Sequence, residues 1–363
     1  MLLTLVLLGL AGPAPADTLP KRVALLPLPL VYYTPETRLA YGAAATATVR
    51  FRRDAGRADA RPSQFTVGVA YTQNRQLLLY LPFQVFYAHN TYYANGEAGY
   101  YRYNYYYYGQ GEHEVPRELY GVNFPRVRVN AFRRVAPALG RGTLYAGLRY
   151  QYEDYGVTTV ADNGVLASGA VPGGRGSRLT GGGLGLFYDA RNSVFYPTKG
   201  VVADVAVLYQ NRAVGAGPNG ETTRFNRYSA DVSSYHALGR HARVAVNYWA
   251  SFTTGVAPFN ALSLLGGTRR MRGYYEGRYR DQNAALLQTE LRFDGYRRLG
   301  GVVFGSVGTL GDAQTVLRGQ QPKGAYGAGL RFTVNRRDHL NLRLDYGLGR
   351  QSSGFYLTIG EAF

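Results

Sequence analysis

The sequence predicts an all-β fold, a transmembrane antiparallel β-barrel of sixteen strands. Three observations carry this. Apolar and polar residues alternate with period two from about residue 37 onward. The alternating runs are about ten residues or longer, the length that crosses a bilayer as a tilted strand. No apolar run beyond the first dozen residues could cross as a helix, which needs roughly 20 residues. Val23 to Tyr33 is too short for that and contains Pro27 and Pro29. Hydropathy averages miss a barrel because lipid-facing and lumen-facing residues alternate.

Taken from the N-terminus, Leu2 to Leu10 form a short apolar region and Ala14-Pro15-Ala16 supplies an A-x-A cleavage site before Asp17. Residues 1–16 therefore read as a signal peptide, although no Lys or Arg precedes the apolar region. A short segment, 17–36, leads into a barrel over 37–363. Strands are expected at 37–53, 62–73, 76–88, 91–108, 118–134, 141–154, 178–189, 199–213, 222–237, 240–254, 281–294, 300–310, 323–335, 338–348 and 353–363. That is one short of an even number, and bacterial single-chain barrels normally have an even number. The sixteenth lies either within 22–34 or in a division of 91–116.

Register follows from parity, since successive side chains point to opposite faces. Val244, Val246, Tyr248 and Phe252 are expected toward lipid, with Arg243, Asn247 and Ser251 toward the lumen. Leu342, Leu344, Tyr346 and Leu348 oppose Asn341, Arg343, Asp345 and Gly347 in the same way. Asn335 to Asp338 reads as a short periplasmic turn; 109–117, 155–177 and 255–280 read as long extracellular loops. Asp162 to Ser177, rich in Gly, Ala and Ser, reads as a mobile surface loop. Tyr105–Tyr108 and Tyr274-Tyr275 suit an interfacial aromatic girdle. A soluble sandwich also alternates, but its inward positions need large apolar side chains, and here they are small or charged.

Composition narrows the function classes. With no Cys, disulfides, thiol nucleophiles and Cys-metal sites are excluded. The net charge of +18 is spread one or two residues per strand rather than gathered in a patch. This argues against nucleic acid as a partner and fits a basic lumen, or exposed arginines meeting the phosphates of lipopolysaccharide. The five histidines, His89, His113, His236, His241 and His339, form no metal-ligand pair, and G-x-S-x-G and P-loop spacings are missing. No enzyme activity, cofactor or metal is expected.

Leu286, Gln288, Glu290, Arg292 and Asp294 share a face, which makes Glu290 lumenal. The preceding loop carries Arg272. A guanidinium pairs bidentately with a carboxylate, so the two could meet; by spacing alone Arg272 could equally sit in solvent with Glu290 paired elsewhere. Phe363 could be an ordinary girdle aromatic or part of an insertion signal.

The segment Gly266-Gly267-Thr268-Arg269-Arg270-Met271-Arg272-Gly273-Tyr274 resembles the loop signature of the BamA/TamA-type outer-membrane assembly barrels, the bacterial surface antigen family. Leu287-Gln288-Thr289-Glu290-Leu291-Arg292-Phe293 resembles that family's next strand. Asp189 and Arg191, followed by Pro197 and Gly200, resemble its mid-barrel hairpin. Phe355, Leu357, Ile359 and Phe363 resemble its closing strand with a terminal aromatic. The likeness is strongest over 180–363. It implies a bacterial outer-membrane location and a loop folded into the lumen, with Met271, Arg272, Gly273 and Tyr274 at its tip and Arg272 on Glu290. It also implies a C-terminal signal read by the barrel assembly machinery during the protein's own insertion.

Two departures qualify the likeness. Family members place an Asp on the following strand; here Phe304-Gly305-Ser306-Val307-Gly308 puts Ser306 there, so the clamp is expected to rest on Glu290 with at most the Ser306 hydroxyl. The 363 residues also leave no room for the periplasmic POTRA domains of assembly factors, which suggests a barrel-only member. Two function classes follow. One is a factor aiding insertion or translocation of unfolded outer-membrane or surface proteins, with or without a periplasmic partner. The other is a passive pore or structural barrel.

Overall fold

The computed structural model describes residues 23–54, 61–111, 113–136, 142–194, 196–217, 220–335 and 340–363. The expected signal peptide, 1–16, and most of the turn at 335–338 lie outside the described residues. The strands, in chain order, are β1 (Val23–Thr34), β2 (Arg38–Val49), β3 (Ser63–Thr72), β4 (Leu77–Tyr87), β5 (Tyr92–Gln110), β6 (His113–Ala136), β7 (Thr143–Thr159), β8 (Ser177–Asp189), β9 (Gly200–Val214), β10 (Thr223–Leu238), β11 (Ala242–Gly255), β12 (Ser263–Leu265), β13 (Tyr279–Asp281), β14 (Asn283–Asp294), β15 (Leu299–Gly311), β16 (Lys323–Asn335), β17 (Leu340–Gly349) and β18 (Ser352–Ile359). Among the described residues, sixteen of these close an antiparallel barrel, while β12 and β13 pair only with each other. Among the described residues no helix is long and apolar enough to cross a membrane. The sixteenth strand is β1, the alternative within 22–34, so among the described residues the wall includes Val23–Thr34 ahead of residue 37.

Alternation sets the register. On β11, Arg243, Asn247, Trp249 and Ser251 are buried in the lumen while Tyr248 is exposed on the outer face. On β14, Leu286, Gln288, Glu290 and Arg292 are buried and Leu287, Leu291 and Phe293 exposed. On β17, Asn341, Arg343 and Asp345 are buried and Tyr346 exposed.

Three local expectations change. First, 109–117 is not a long loop. β5 and β6 run on as a paired ribbon, with Tyr107 opposite Glu118 and Gly109 opposite Glu114 across a bulge. The Tyr run favours extended backbone, so pairing outlasts the membrane span. Second, the tyrosines are not simply a girdle: Tyr103, Tyr107 and Tyr274 are buried inside. Third, 160–176 is not a loose surface loop. Leu166 is buried in the same cluster as Phe259 and Tyr107, and Phe259 N–H donates to the Pro172 carbonyl at 2.8 Å.

The longer connections 160–176, 256–282 and 312–322 lie at one end, which is therefore extracellular. The other end is periplasmic and carries two longer connections of its own, 50–62 and 190–199.

The seam between β1 and β18 differs from every other junction. β17 and β18 pair from Leu342–Ile359 to Gly349–Ser352, and β1 and β2 pair along all of β1. β1 and β18 are registered at one pair, Tyr33 opposite Leu357. That register puts Val31 across from Ile359, the last residue of β18, so the strand stretch before Val31 extends past its neighbour. Pro27 and Pro29 lie in this stretch. They pair with β2 opposite Ala45 and Ala43, and proline is tolerated in a strand where its missing N–H faces an open edge.

Candidate functional site: a loop anchored inside the barrel

The loop after β11 turns back into the barrel rather than out to solvent. Its first stretch is fixed at the extracellular end of the lumen. The Phe259 ring meets Tyr107, Tyr120 and Tyr155 edge-on at 5.9, 5.5 and 5.9 Å. Asn260 Nδ2 donates to Glu153 Oε1 at 3.1 Å. Glu153 itself accepts from Arg126 Nε at 2.6 Å. The tip, 266–278, then descends between β12 and β13. Met271 adopts a left-handed φ of 59° although it is not glycine. Such backbone costs on the order of 1–3 kcal/mol and persists where the surroundings over-determine it; Met271 is wholly buried.

Arg272 follows, and its guanidinium bridges two strands. One nitrogen donates to Glu290 on β14 and another to Asp345 on β17. The side chains are 2%, 0% and 0% exposed. The Arg272 guanidinium also lies 3.7 Å from the centre of the Phe304 ring. Each carboxylate has further cations. Arg292 contacts Glu290 at 2.6 Å. Arg331 and Arg343 contact Asp345 at 2.6 and 3.4 Å. Glu361 joins through Arg331 at 2.9 Å and Arg292 at 3.8 Å. Burying this many charges is tolerable only where each is paired.

The wall opposite the tip is shaped to receive it. Gly273 has φ 115°, and a Cβ there would come within 2.8 Å of the Leu348 backbone. A Cβ on Gly347 would reach 2.7 Å from Gly273 N, and one on Gly349 would reach 2.3 Å from the Tyr274 ring. The two wall glycines therefore let loop backbone and ring lie flat on β17. Hydrogen bonds then fix the tip. Gly273 N–H donates to Tyr356 Oη at 3.0 Å, and Tyr356 O–H donates to the Tyr274 carbonyl at 3.2 Å. Ser352 Oγ donates to the Gly273 carbonyl at 2.7 Å. Tyr274 O–H donates to the Gly324 carbonyl at 2.9 Å and accepts from Arg350 N–H at 2.7 Å. Arg270 stacks 3.7 Å from the centre of the Trp249 ring. At the extracellular end Glu36 Oε1, in the β1–β2 turn, accepts from Glu276 N–H at 2.7 Å. Burial, and then the neighbouring Glu276 carboxylate, push the Glu36 carboxyl up to about 7.

Ser306 is not part of the clamp. Its hydroxyl donates to the Ala325 carbonyl at 3.3 Å, and the second carboxylate is Asp345, two strands further round. The C-terminus also departs from expectation. Phe355, Leu357 and Ile359 alternate with the buried Tyr356 as a strand should, but β18 ends at Ile359. Gly360, with φ 82°, turns the chain inward. Phe363 consequently lies inside the barrel, 5.4 Å from the Arg292 guanidinium, and its main-chain oxygen accepts from Arg292 at 3.0 Å. Loop and tail meet where Arg269 Nε donates to the Ala362 carbonyl at 3.3 Å.

The 190–199 hairpin is a separate periplasmic unit. Asp189 accepts from Arg191 N, Nε and Nη2 at 3.1, 3.0 and 3.1 Å. A Cβ on Gly200 would lie 2.2 Å from the Ala190 carbonyl, which requires glycine there. Pro197 is buried beside Tyr196, whose hydroxyl donates to Asp294 at 3.2 Å. No group of three or more metal-ligating side chains occurs among the described residues.

Fold and site together define a class: an outer-membrane β-barrel whose extracellular loop is anchored to its own inner wall. Residues 28–363 match the Omp85 superfamily domain, and the chain belongs to that superfamily. Solved structures agree at the level of fold. CdiB from Acinetobacter baumannii is 15% identical, with a TM-score of 0.60 over 94% of this chain and 60% of that one. CdiB from Escherichia coli is 11% identical, with a TM-score of 0.61 over 93% and 63%. BamA from Haemophilus ducreyi lacking POTRA domains 1–3 is 12% identical, with a TM-score of 0.56 over 93% and 70%. The chain thus spans about 60% of the length of the A. baumannii CdiB structure. No curated protein matches the sequence significantly.

Proposed function

We propose that this barrel aids insertion or translocation of unfolded outer-membrane or surface proteins, in the manner of the BamA/TamA-type barrels. The observation that carries the reading is the buried Arg272 clamp beside a seam registered at Tyr33–Leu357 alone. A firmly held loop braces β14 to β17, while the β1–β18 junction, with the fewest backbone bonds to break, is where the wall opens. Phe355, Leu357 and Ile359, on the lipid face, serve with Phe363 as the signal read by the assembly machinery before the tail folds inward. Lipopolysaccharide and a periplasmic partner complete the set of proposed contacts.

The test is depletion of the protein followed by outer-membrane proteomics, with complementation by wild type and by Arg272→Ala. The reading expects a defined set of other outer-membrane or surface proteins to fall, and to recover with wild type but not with the variant. An unchanged proteome would leave a passive structural barrel as the better account.

A further inference from the structure

The lipid-facing wall beside the clamp carries a depression of about 710 Å³, within the roughly 300–1,000 Å³ typical of ligand sites. Its floor is two adjacent rows of the sheet. Leu287, Val307 and Gly324 form one row, and Thr289, Gly305 and Tyr326 the next. Gly305 and Gly324 face outward, and a Cβ on either would meet nothing within 4 Å. The walls are the exposed side chains Leu287, Val307 and Tyr326. Arg350 lines the extracellular end with outward parity, diagonally beyond the Tyr326–Leu348 pair.

We infer that this depression is a binding slot for lipid A, the phosphorylated and acylated anchor of lipopolysaccharide in the outer leaflet. An acyl chain lies over Gly305 and Gly324, between Leu287, Val307 and Tyr326, and a phosphate meets the Arg350 guanidinium. The position fits the chemistry, since a cation at the extracellular end of an apolar groove matches an anionic headgroup above its own acyl chain. Arg318, exposed in the connection joining β15 to β16, is a further cation at the same end of the barrel. The rim carboxylate Asp312 is occupied, accepting from Thr315 N–H at 2.7 Å. The slot shares its wall with the loop tip, because the Tyr274 hydroxyl bonds the backbone of both Gly324 and Arg350. The inference rests on the outer-membrane location and not on the assembly reading.

The test uses the purified barrel in phosphatidylcholine nanodiscs containing equal lipid A and phosphatidylglycerol, with retained lipid counted by native mass spectrometry. Wild type is expected to keep lipid A under conditions that strip phosphatidylglycerol. Gly305→Leu fills the slot and Arg350→Ser removes the cation, and each should lower lipid A retention about tenfold. Ala328→Leu, outward on β16 and outside the slot, should leave retention unchanged. Heat-modifiable migration on a gel verifies that every variant is folded. Equal lipid A retention in all variants, or phosphatidylglycerol held as well as lipid A by wild type, would overturn the inference.

Discussion

Replacing Arg272 with Ala removes the cation that joins Glu290 to Asp345. Breaking a buried ion pair by deleting one partner costs roughly 3–5 kcal/mol, because the other charge is left stranded. Here the carboxylates are not wholly stranded: Arg292 stays 2.6 Å from Glu290, and Arg331 stays 2.6 Å from Asp345. The loss therefore belongs at the low end, about 3 kcal/mol. That raises the fraction of barrels with an undocked loop by about a hundredfold. The protein supplies its own probe, since Trp249 is the only tryptophan and lies buried under Arg270 of the same loop. Undocking lifts Arg270 away and admits water, so Trp249 emission should shift to the red. Trypsin should also cut at Arg269 and Arg270 in a barrel that remains folded. Arg272→Lys should restore little, because an ammonium cannot fork between two carboxylates. Wild-type emission and trypsin resistance in folded Arg272→Ala would show that the loop stays docked without its arginine.

Gly347→Ala should displace the tip as strongly as loss of the arginine, since its Cβ would sit 2.7 Å from Gly273 N; Trp249 emission reads this too. Ser306→Ala should leave emission and proteolysis unchanged and lower stability by about 1 kcal/mol at most, the worth of one hydrogen bond, as measured by urea unfolding. Glu36 gives a pH dependence. Its carboxyl is raised to about 7 in the folded barrel, so its contribution is fully present below the unfolded pKa, near 4.3. It is lost as pH rises through 7 and the buried carboxyl ionises. Trypsin access to the loop should accordingly increase between pH 5 and pH 8, and Glu36→Gln should flatten that profile while keeping an acceptor for Glu276 N–H.

Much of the wall was legible because a barrel strand has two environments and period two separates them. The lumenal set Arg243, Asn247 and Ser251 follows from parity alone, as does the face that holds Arg343, Asp345 and Gly347. The role of Asp345 was not legible. It lies 73 residues from Arg272 in sequence, and only the curvature of the closed wall brings β17 to the loop. The expectation for Ser306 failed for the same reason: the second carboxylate stands on β17, and no local pattern around Ser306 points to it. The inward turn of the tail depends on one backbone angle, at Gly360, and the sequence around it continues the strand pattern. Gly347 and Gly349 did carry a signal, since small residues at alternate lumenal positions leave room for something to lie against the wall. The ribbon formed by β5 and β6 was missed because the alternation breaks at Gly109, whereas pairing resumes there across a bulge and runs to Gln110 opposite His113 before the chain turns.

The most direct test of the account is a double-mutant cycle between Arg272 and Asp345. Arg272→Ala, Asp345→Asn and the double variant are compared with wild type for loop undocking, followed through Trp249 emission against urea. A cycle isolates the pairwise energy from the separate effects of each change. A loop latched by these two side chains predicts a coupling of about 1–3 kcal/mol, with the double variant little worse than either single one. Additive losses, with no coupling, would mean that Arg272 and Asp345 do not hold the loop together.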